Sequence, residues 1–453
     1  MALPRTRILS AGLGLSFIVG AAIALAHPIA QTTQASATQQ VQASARSAKS
    51  SEANKEVKAY TLPPDLYDKA VRFSRAQYIL YFVDFAWGVI VLLLILAWRL
   101  APRYRNWAEG FTKRHFLQAA IFTPILLLTI SIFELPTGIY GHWLNRSYGL
   151  SIQGWGSWLG DWAKGEIIFC IVGILLAWIL YAIIRRSPRR WWFHFWVVTL
   201  PFLLLVTFLT PLVIDPLFNK FEPLESKDPA LVTALERVVH RGGMDIPPER
   251  MYWMQESAKG NEVDAYVTGL GGSKRVVVWD TTVEKMTVAE TMYVFGHEMG
   301  HYVLNHVYKG LAFGAALSFV LLFLGFRGML WSLARWSSRW GIRSTDDWAS
   351  LPVLLLWITI LGFLASPMIN GFSRLQEHHA DQYGLEVTHG LIPNSSQVAA
   401  QAFQILGEVD LADPNPNPFI KFWLYSHPPL SERVDFALKY NPWAEGKQPE
   451  FVK

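Results

Sequence analysis

The feature that most constrains this chain is a set of apolar windows, each long enough to cross a bilayer, which takes about 20 residues. They fall at roughly residues 8–26, 77–99, 116–135, 166–185, 191–214, 310–331 and 351–370. A water-soluble enzyme of 453 residues has no use for them, and a composition 52% hydrophobic and only 17% charged agrees. The expected fold is mainly α, a multi-pass helical membrane protein.

The first window is ambiguous. "MALPRTRILSAGLGLSFIVGAAIALAHP" has a basic start, an apolar middle and Ala24-Leu25-Ala26 as a cleavage site, so residues 1–26 read equally well as a signal peptide or as a first membrane span. Residues 27–59 are rich in Ala, Ser, Thr and Gln, with little to bury, and are expected to be a disordered linker. Residues 60–214 hold the next membrane helices. The single cysteine, Cys170, falls inside a span and has no partner for a disulfide. Tryptophans such as Trp98, Trp107, Trp162, Trp191 and Trp192 sit near span ends, where an indole suits the headgroup level.

The net charge of +5 is not a nucleic-acid footprint, because the basic residues fall in short loops between spans. If the six later spans alternate, Arg99, Arg103, Arg105, Lys113 and Arg114 share a side with Arg185, Arg186, Arg189 and Arg190 and with Arg335, Arg339 and Arg343. The positive-inside tendency makes that side cytoplasmic and puts residues 215–309 and 371–453 on the other face. Those two polar regions share a side and can form one domain around the last two spans, residues 310–370.

Within 215–309, "KRVVVWDTT" follows a Gly-Gly-Ser turn and reads as a strand, with "DAYVTGL" as its antiparallel neighbour. A helix follows, opened by Thr287 and Glu290 at capping-box spacing. It carries "VFGHEMGHYVLNH". His297 and His301 are four apart, so both imidazoles leave one face and can grip one zinc ion, with Glu298 beside them. The bland alternative is two hydrogen-bonded core histidines and a glutamate on a wet face. The metzincin layout is excluded, because Leu304 and Val307 stand where its glycine and third histidine belong. His306, five residues past His301, is expected on another face as a surface histidine.

Catalytic zinc needs a third protein ligand and an open position. In "SRLQEHHADQYGLE", Glu377 and Asp381 are four apart on an expected helix, so the first can bind the metal while the second orients a ligating histidine. A solvated helix of mixed charge explains that spacing equally well. His378 and His379 compete as ligands but face elsewhere if Glu377 faces the metal. Asp84, Glu134 and Arg327 lie in or near spans, where charges usually face protein or water. For Glu134, snorkelling at a span end is at least as good a reading.

Several motifs in order then make the chain similar to the integral-membrane zinc metallopeptidases of the CAAX prenyl protease type. They are "YGLSIQGWGSWLGDWAKG", "PLFNKFEPL", "AYVTGLGGSKRVVVWDT", the His-Glu-x-x-His helix, "SRLQEHHADQYG" and "LYSHPPLSERV", spread over residues 60–440. The resemblance implies a helical barrel of seven spans around an intramembrane chamber, capped by a small α+β gluzincin-type domain. It also implies one Zn2+ per chain on His297, His301 and Glu377, Glu298 as general base, and supporting roles for Asp381, His427 and Arg433. His427 or Arg433 would stabilise the oxyanion with the metal. From the residues alone, His427 is a turn histidine before two prolines.

The strand holding Asp264, Ala265 and Tyr266 is expected to bind substrate backbone as an added strand. The family usually has Asn-Ala-Tyr there. A carboxylate cannot donate the hydrogen bond an amide can, so the aspartate puts that clamp in question. The expected function is a zinc-dependent, membrane-embedded endopeptidase acting on membrane-associated or exported polypeptides, lipidated or not, in a bacterial inner membrane. Its partners are the substrate and the bilayer, with no nucleic acid. The alternative is a non-catalytic chamber that holds or clears translocating chains, against which an intact Glu298 argues.

Overall fold

The computed structural model describes residues 56–269 and 274–452. The proposed signal peptide or first span, most of the linker and the Gly-Gly-Ser turn lie outside the described residues. Helix α1 (Pro64–Ala97) is followed by α2 (Leu100–Phe111), α3 (His115–Ser147), α4 (Trp155–Arg186) and α5 (Trp191–Leu209). α5 runs on through a π turn at Thr210–Ile214 and a helical turn at Asp215–Phe218. After the polar segment come α9 (His306–Trp340) and α10 (Leu351–Thr388). Of these, α1, α3, α4, α5, α9 and α10 are long and apolar enough to cross a membrane. Each overlaps one expected window over most of its length, because only a helix satisfies every backbone group of an isolated segment in lipid.

The spans pack through Phe122, Leu126 and Ile130 of α3, Leu176 and Tyr181 of α4, and Leu354 and Ile358 of α10. Glu134 does not snorkel. It is buried within the bundle, so close to Gly88 of α1 that a Cβ there would meet its Oε1 at 3.1 Å. The snorkelling alternative therefore fails, since the side chain is committed to a helix contact.

The basic loops meet at one end of the bundle. Arg105 on α2 pairs with buried Asp347 before α10, Arg343 pairs with Glu109, and Arg99 donates to the Arg339 carbonyl. Arg185, in the last turn of α4, lies over the Trp348 ring.

The polar regions form a domain at the other end. Its sheet comprises β1 (Phe221–Pro223), β2 (Met251–Met254), β3 (Ala265–Thr268) and β4 (Arg275–Trp279), ordered β1-β2-β4-β3. β3 pairs antiparallel with β4, Ala265 opposite Val278, as the sequence predicts, while β2 and β4 are parallel. β3 therefore forms an outer edge. Helix α6 (Pro229–Arg241) precedes the sheet's centre, a short α7 (Asp280–Lys285) follows β4, and α8 (Val288–Val303) carries the two histidines. The capping box of Thr287 and Glu290 is present at the start of α8. Helices α11 (Ser395–Val409), α12 (Pro418–Leu424) and α13 (Leu430–Lys439) complete the domain.

Two features tie this domain to the membrane part. Helix α10 is one helix from the last span through residue 370 into the domain. The α3–α4 loop also docks on residues 259–260, where Ile152 and Gln153 donate backbone hydrogen bonds to the Lys259 carbonyl. Beneath that contact the buried Lys259 ammonium binds Asp161, which also accepts from Gln153. Asp161→Leu would strand Lys259 and is predicted to cost about 3 kcal/mol. Adding Lys259→Met should recover most of the loss in a thermal melt of purified protein, and equal melting of single and double variants would contradict the pairing.

Candidate metal centre and active site

Two glycine-bearing helices cross to build the centre. Gly296 and Gly300 form the face of α8 that lies against Gly384 and its neighbours on α10. Tyr383 covers Gly300, and a Cβ on Gly384 would lie 3.1 Å from the His297 nitrogen. Small residues four apart permit such backbone approach, and that spacing is a signal present in the sequence. The crossing carries Glu377 and Asp381, one turn apart on α10, against His297 and His301, one turn apart on α8.

The contacts define a triangle. His297 Nε2 and His301 Nε2 are 3.2 Å apart, and Glu377 places Oε2 3.3 Å from the first and Oε1 3.5 Å from the second. Ligand atoms about 2.0–2.1 Å from a tetrahedral zinc are separated by about 3.3 Å, and these contacts, which end on both oxygens of the one carboxylate, are of that size. A hydrogen bond between the imidazoles would not need a carboxylate equidistant from both. Glu377 Oε2 is moreover buried without a hydrogen-bond partner, a costly arrangement that a cation relieves. Glu298 is adjacent but set back, its Oε1 3.8 Å from His297 Nε2. His297, Glu298 and His301 alone could also present three atoms within 4.8 Å. Glu377 is the better third donor because it reaches both imidazoles.

The far nitrogen of His297 is held from behind. Asp381 Oδ1 lies 2.8 Å from His297 Nδ1, and Arg433 grips Asp381 through Nε at 2.8 Å and Nη2 at 2.6 Å. Arg433 is 4% exposed and stacked 4.3 Å over Phe403, so its charge is spent on Asp381. His427 arrives on the loop before α13, its Nε2 3.1 Å from Glu377 Oε1 and its Nδ1 2.9 Å from Ser426 Oγ. A cavity of about 50 Å³ opens beside it, with Ser74, Tyr78, Asp413, Tyr425 and Arg433 in its wall. His378 and His379 turn away from the triangle, towards Phe436 and Phe451.

Electrostatics set the protonation states. Burial works against a charge on His297, but the neighbouring Asp381 and Glu377 carboxylates override it and push the imidazole up to about 10. That pull towards a cation is what a metal ion would answer. Burial lowers His301 to about 3, against the attraction of Glu377, so it is neutral and ready to ligate. Burial raises Glu298 to about 7, opposed by the charge of His297. Asp264 is pushed well above the usual carboxylate range by burial and then by the Glu298 charge. Its Oδ1 accepts from the Ala265 N–H, and its backbone is fixed by Thr282. Ala265 is fully buried, and the Tyr266 hydroxyl lies 3.9 Å from the Met254 sulfur.

One expectation is corrected. His306 is not a surface residue: it is 3% exposed and its Nδ1 is 3.1 Å from His301 Nδ1. The chain breaks helix at Leu304 and passes Asn305 in the left-handed region at φ 59°, so helical spacing does not extend to residue 306. An Asn four residues past the second histidine was the one hint, since Asn tolerates that region.

Fold and centre together define a multi-pass membrane metalloendopeptidase. The model of peptidase family M48 matches residues 225–441, and that of the CAAX prenyl protease N-terminal region, with five membrane helices, matches residues 44–220. The Bacillus subtilis metalloprotease YhfN is 32% identical over 370 residues, 82% of this chain and 85% of that one. CAAX prenyl protease 1 of Saccharomyces cerevisiae is 25% identical over 417 residues, 84% and 88% of the two chains. The crystal structure of S. mikatae Ste24p superposes over 97% of this chain and 100% of its own, with a TM-score of 0.71 at 20% identity, so the helical barrel is the same fold. The chain belongs to peptidase family M48.

The helix crossing makes a specific prediction. Gly384→Ala must push α10 off the His297 backbone, costing about 1–3 kcal/mol as overpacking does. Melting temperature and retained metal should both fall, and a variant unchanged in both would contradict the close contact.

Proposed function

We propose that the chain is a zinc endopeptidase whose single ion is held by His297, His301 and Glu377. The observation carrying this reading is the approach of two imidazole nitrogens and the two oxygens of one carboxylate to 3.2–3.5 Å, with one of those oxygens buried and making no hydrogen bond. What zinc supplies when bound is Lewis acidity towards water and a peptide carbonyl. The protein does the rest. Glu298, poised near neutrality and beside the triangle, takes a proton from the attacking water and delivers it to the departing amide nitrogen. His427 donates from its ring to the carbonyl oxygen as negative charge develops there. Arg433, committed to Asp381, positions His297 through that carboxylate and is not an oxyanion donor.

Substrate lies along the outer edge of β3, which has no strand neighbour on that side among the described residues. The aspartate at the position of the family's asparagine fits this role. With Oδ1 accepting from Ala265, a protonated Asp264 offers a hydroxyl donor from Oδ2, as an amide would. Asp264→Asn should leave kcat/KM nearly unchanged, whereas Asp264→Ala should raise KM. The reverse order would contradict the donor role.

The convergence of three basic loops at one end of the bundle supports a cytoplasmic position for that end. The active site would then face outward from a bacterial inner membrane, where membrane-associated or exported polypeptides are the accessible substrates. The chain-holding alternative gains nothing from the site, since holding a chain requires neither a base nor a metal.

Glu298→Gln separates the readings. It should keep its zinc and lower peptide hydrolysis roughly 10²- to 10⁴-fold, the contribution typical of a general base. Undiminished hydrolysis by the Gln variant would overturn the assignment, and a panel of farnesylated and unmodified peptides would report lipid preference in the same assay.

A further inference from the structure

We propose that His306 is the positioning residue for His301: it fixes the far nitrogen of that imidazole so that the near one meets the metal. The inference rests on the zinc-site reading above. His301 presents Nε2 to the triangle and Nδ1 to His306 Nδ1 at 3.1 Å, the two rings standing 5.0 Å apart at 75°. Two facing Nδ1 atoms can share only one proton. A ligating His301 has no proton on Nε2, so its proton is on Nδ1 and it donates. His306 must accept, which places its own proton on Nε2. That atom is buried and makes no hydrogen bond, so the Nδ1 contact to His301 is the one hydrogen bond of the ring among the described residues.

Local structure makes this arrangement possible. On a continuous helix, residue 306 would lie about 140° around from residue 301. The left-handed Asn305 ends α8 and starts α9 at His306, folding the ring back under His301. As the first residue of α9, His306 also sits at the positive end of the helix dipole, which disfavours a charged imidazole and favours the neutral acceptor. Each metal-facing histidine thus has its own partner behind it: a carboxylate, Asp381, for His297, and an imidazole for His301. Because α9 is a membrane span, the second partner anchors the metal centre to the bilayer part of the fold.

The test compares His306→Ala with His306→Gln, which keeps an acceptor oxygen, in the purified full-length protein. The readouts are the rate at which a chelator strips zinc, the visible spectrum of the cobalt(II)-substituted protein, and KM. The Ala variant should lose zinc roughly 10- to 100-fold faster, as removal of an outer-shell partner typically does, with altered cobalt bands and KM unchanged. The Gln variant should recover most of the retention. An Ala variant with wild-type zinc loss and cobalt spectrum overturns the proposal. If the Ala chain does not fold, the Gln variant decides: retention close to wild type supports the acceptor role, and a loss of about tenfold or more overturns it. Failure of the parent reading would look different, since wild-type protein would then bind no zinc and Glu298→Gln would cleave as well as wild type.

Discussion

The molecule depends on the close crossing of α8 and α10. Without side chains at Gly296, Gly300 and Gly384 the two backbones approach until Glu377 reaches both imidazoles and Asp381 reaches the far nitrogen of one. One of these helices is also the last membrane span. The centre is therefore built on the bundle itself rather than on a tethered domain. The Lys259 and Asp161 pair and the α3–α4 loop hold the remaining face of the domain to the same bundle.

That crossing concentrates charge where water is scarce, and the surrounding residues answer it in turn. Arg433 neutralises Asp381, and its aliphatic and planar surface is covered by Phe403. Glu377 faces three imidazoles, from His297, His301 and His427, and still keeps one oxygen without a hydrogen bond. A set of donors that includes a neutral histidine, a buried carboxylate and no cysteine suits a zinc ion with an open position. The same crowding raises the Glu298 carboxyl to the range where a base works near neutral pH.

Much of this was readable in the sequence because the signals are local. Apolar runs define spans wherever the backbone has no other solution, the capping box starts α8, and the β-branched run of β4 pairs with its neighbour across a short connection. The spacing of His297 and His301 fixes a shared face. What the sequence hid depends on contacts between distant segments or on a single backbone angle. The expected helical phase failed at His306 because one residue, Asn305, adopts a left-handed conformation. Burial of Glu134 against Gly88, the Lys259 and Asp161 latch and the continuity of α10 past residue 370 all join segments that no periodicity connects. Glu377 had the right spacing, but only the crossing distinguishes it from a solvated glutamate.

The metal centre is tested most directly by the zinc content and zinc-edge X-ray absorption fine structure of the purified full-length protein. One zinc per chain is expected, in a shell of nitrogen and oxygen donors at about 2.0–2.1 Å, with imidazole scattering from two histidines and no sulfur near about 2.3 Å. Protein that binds no zinc, or binds it in a shell without two imidazoles, would contradict it.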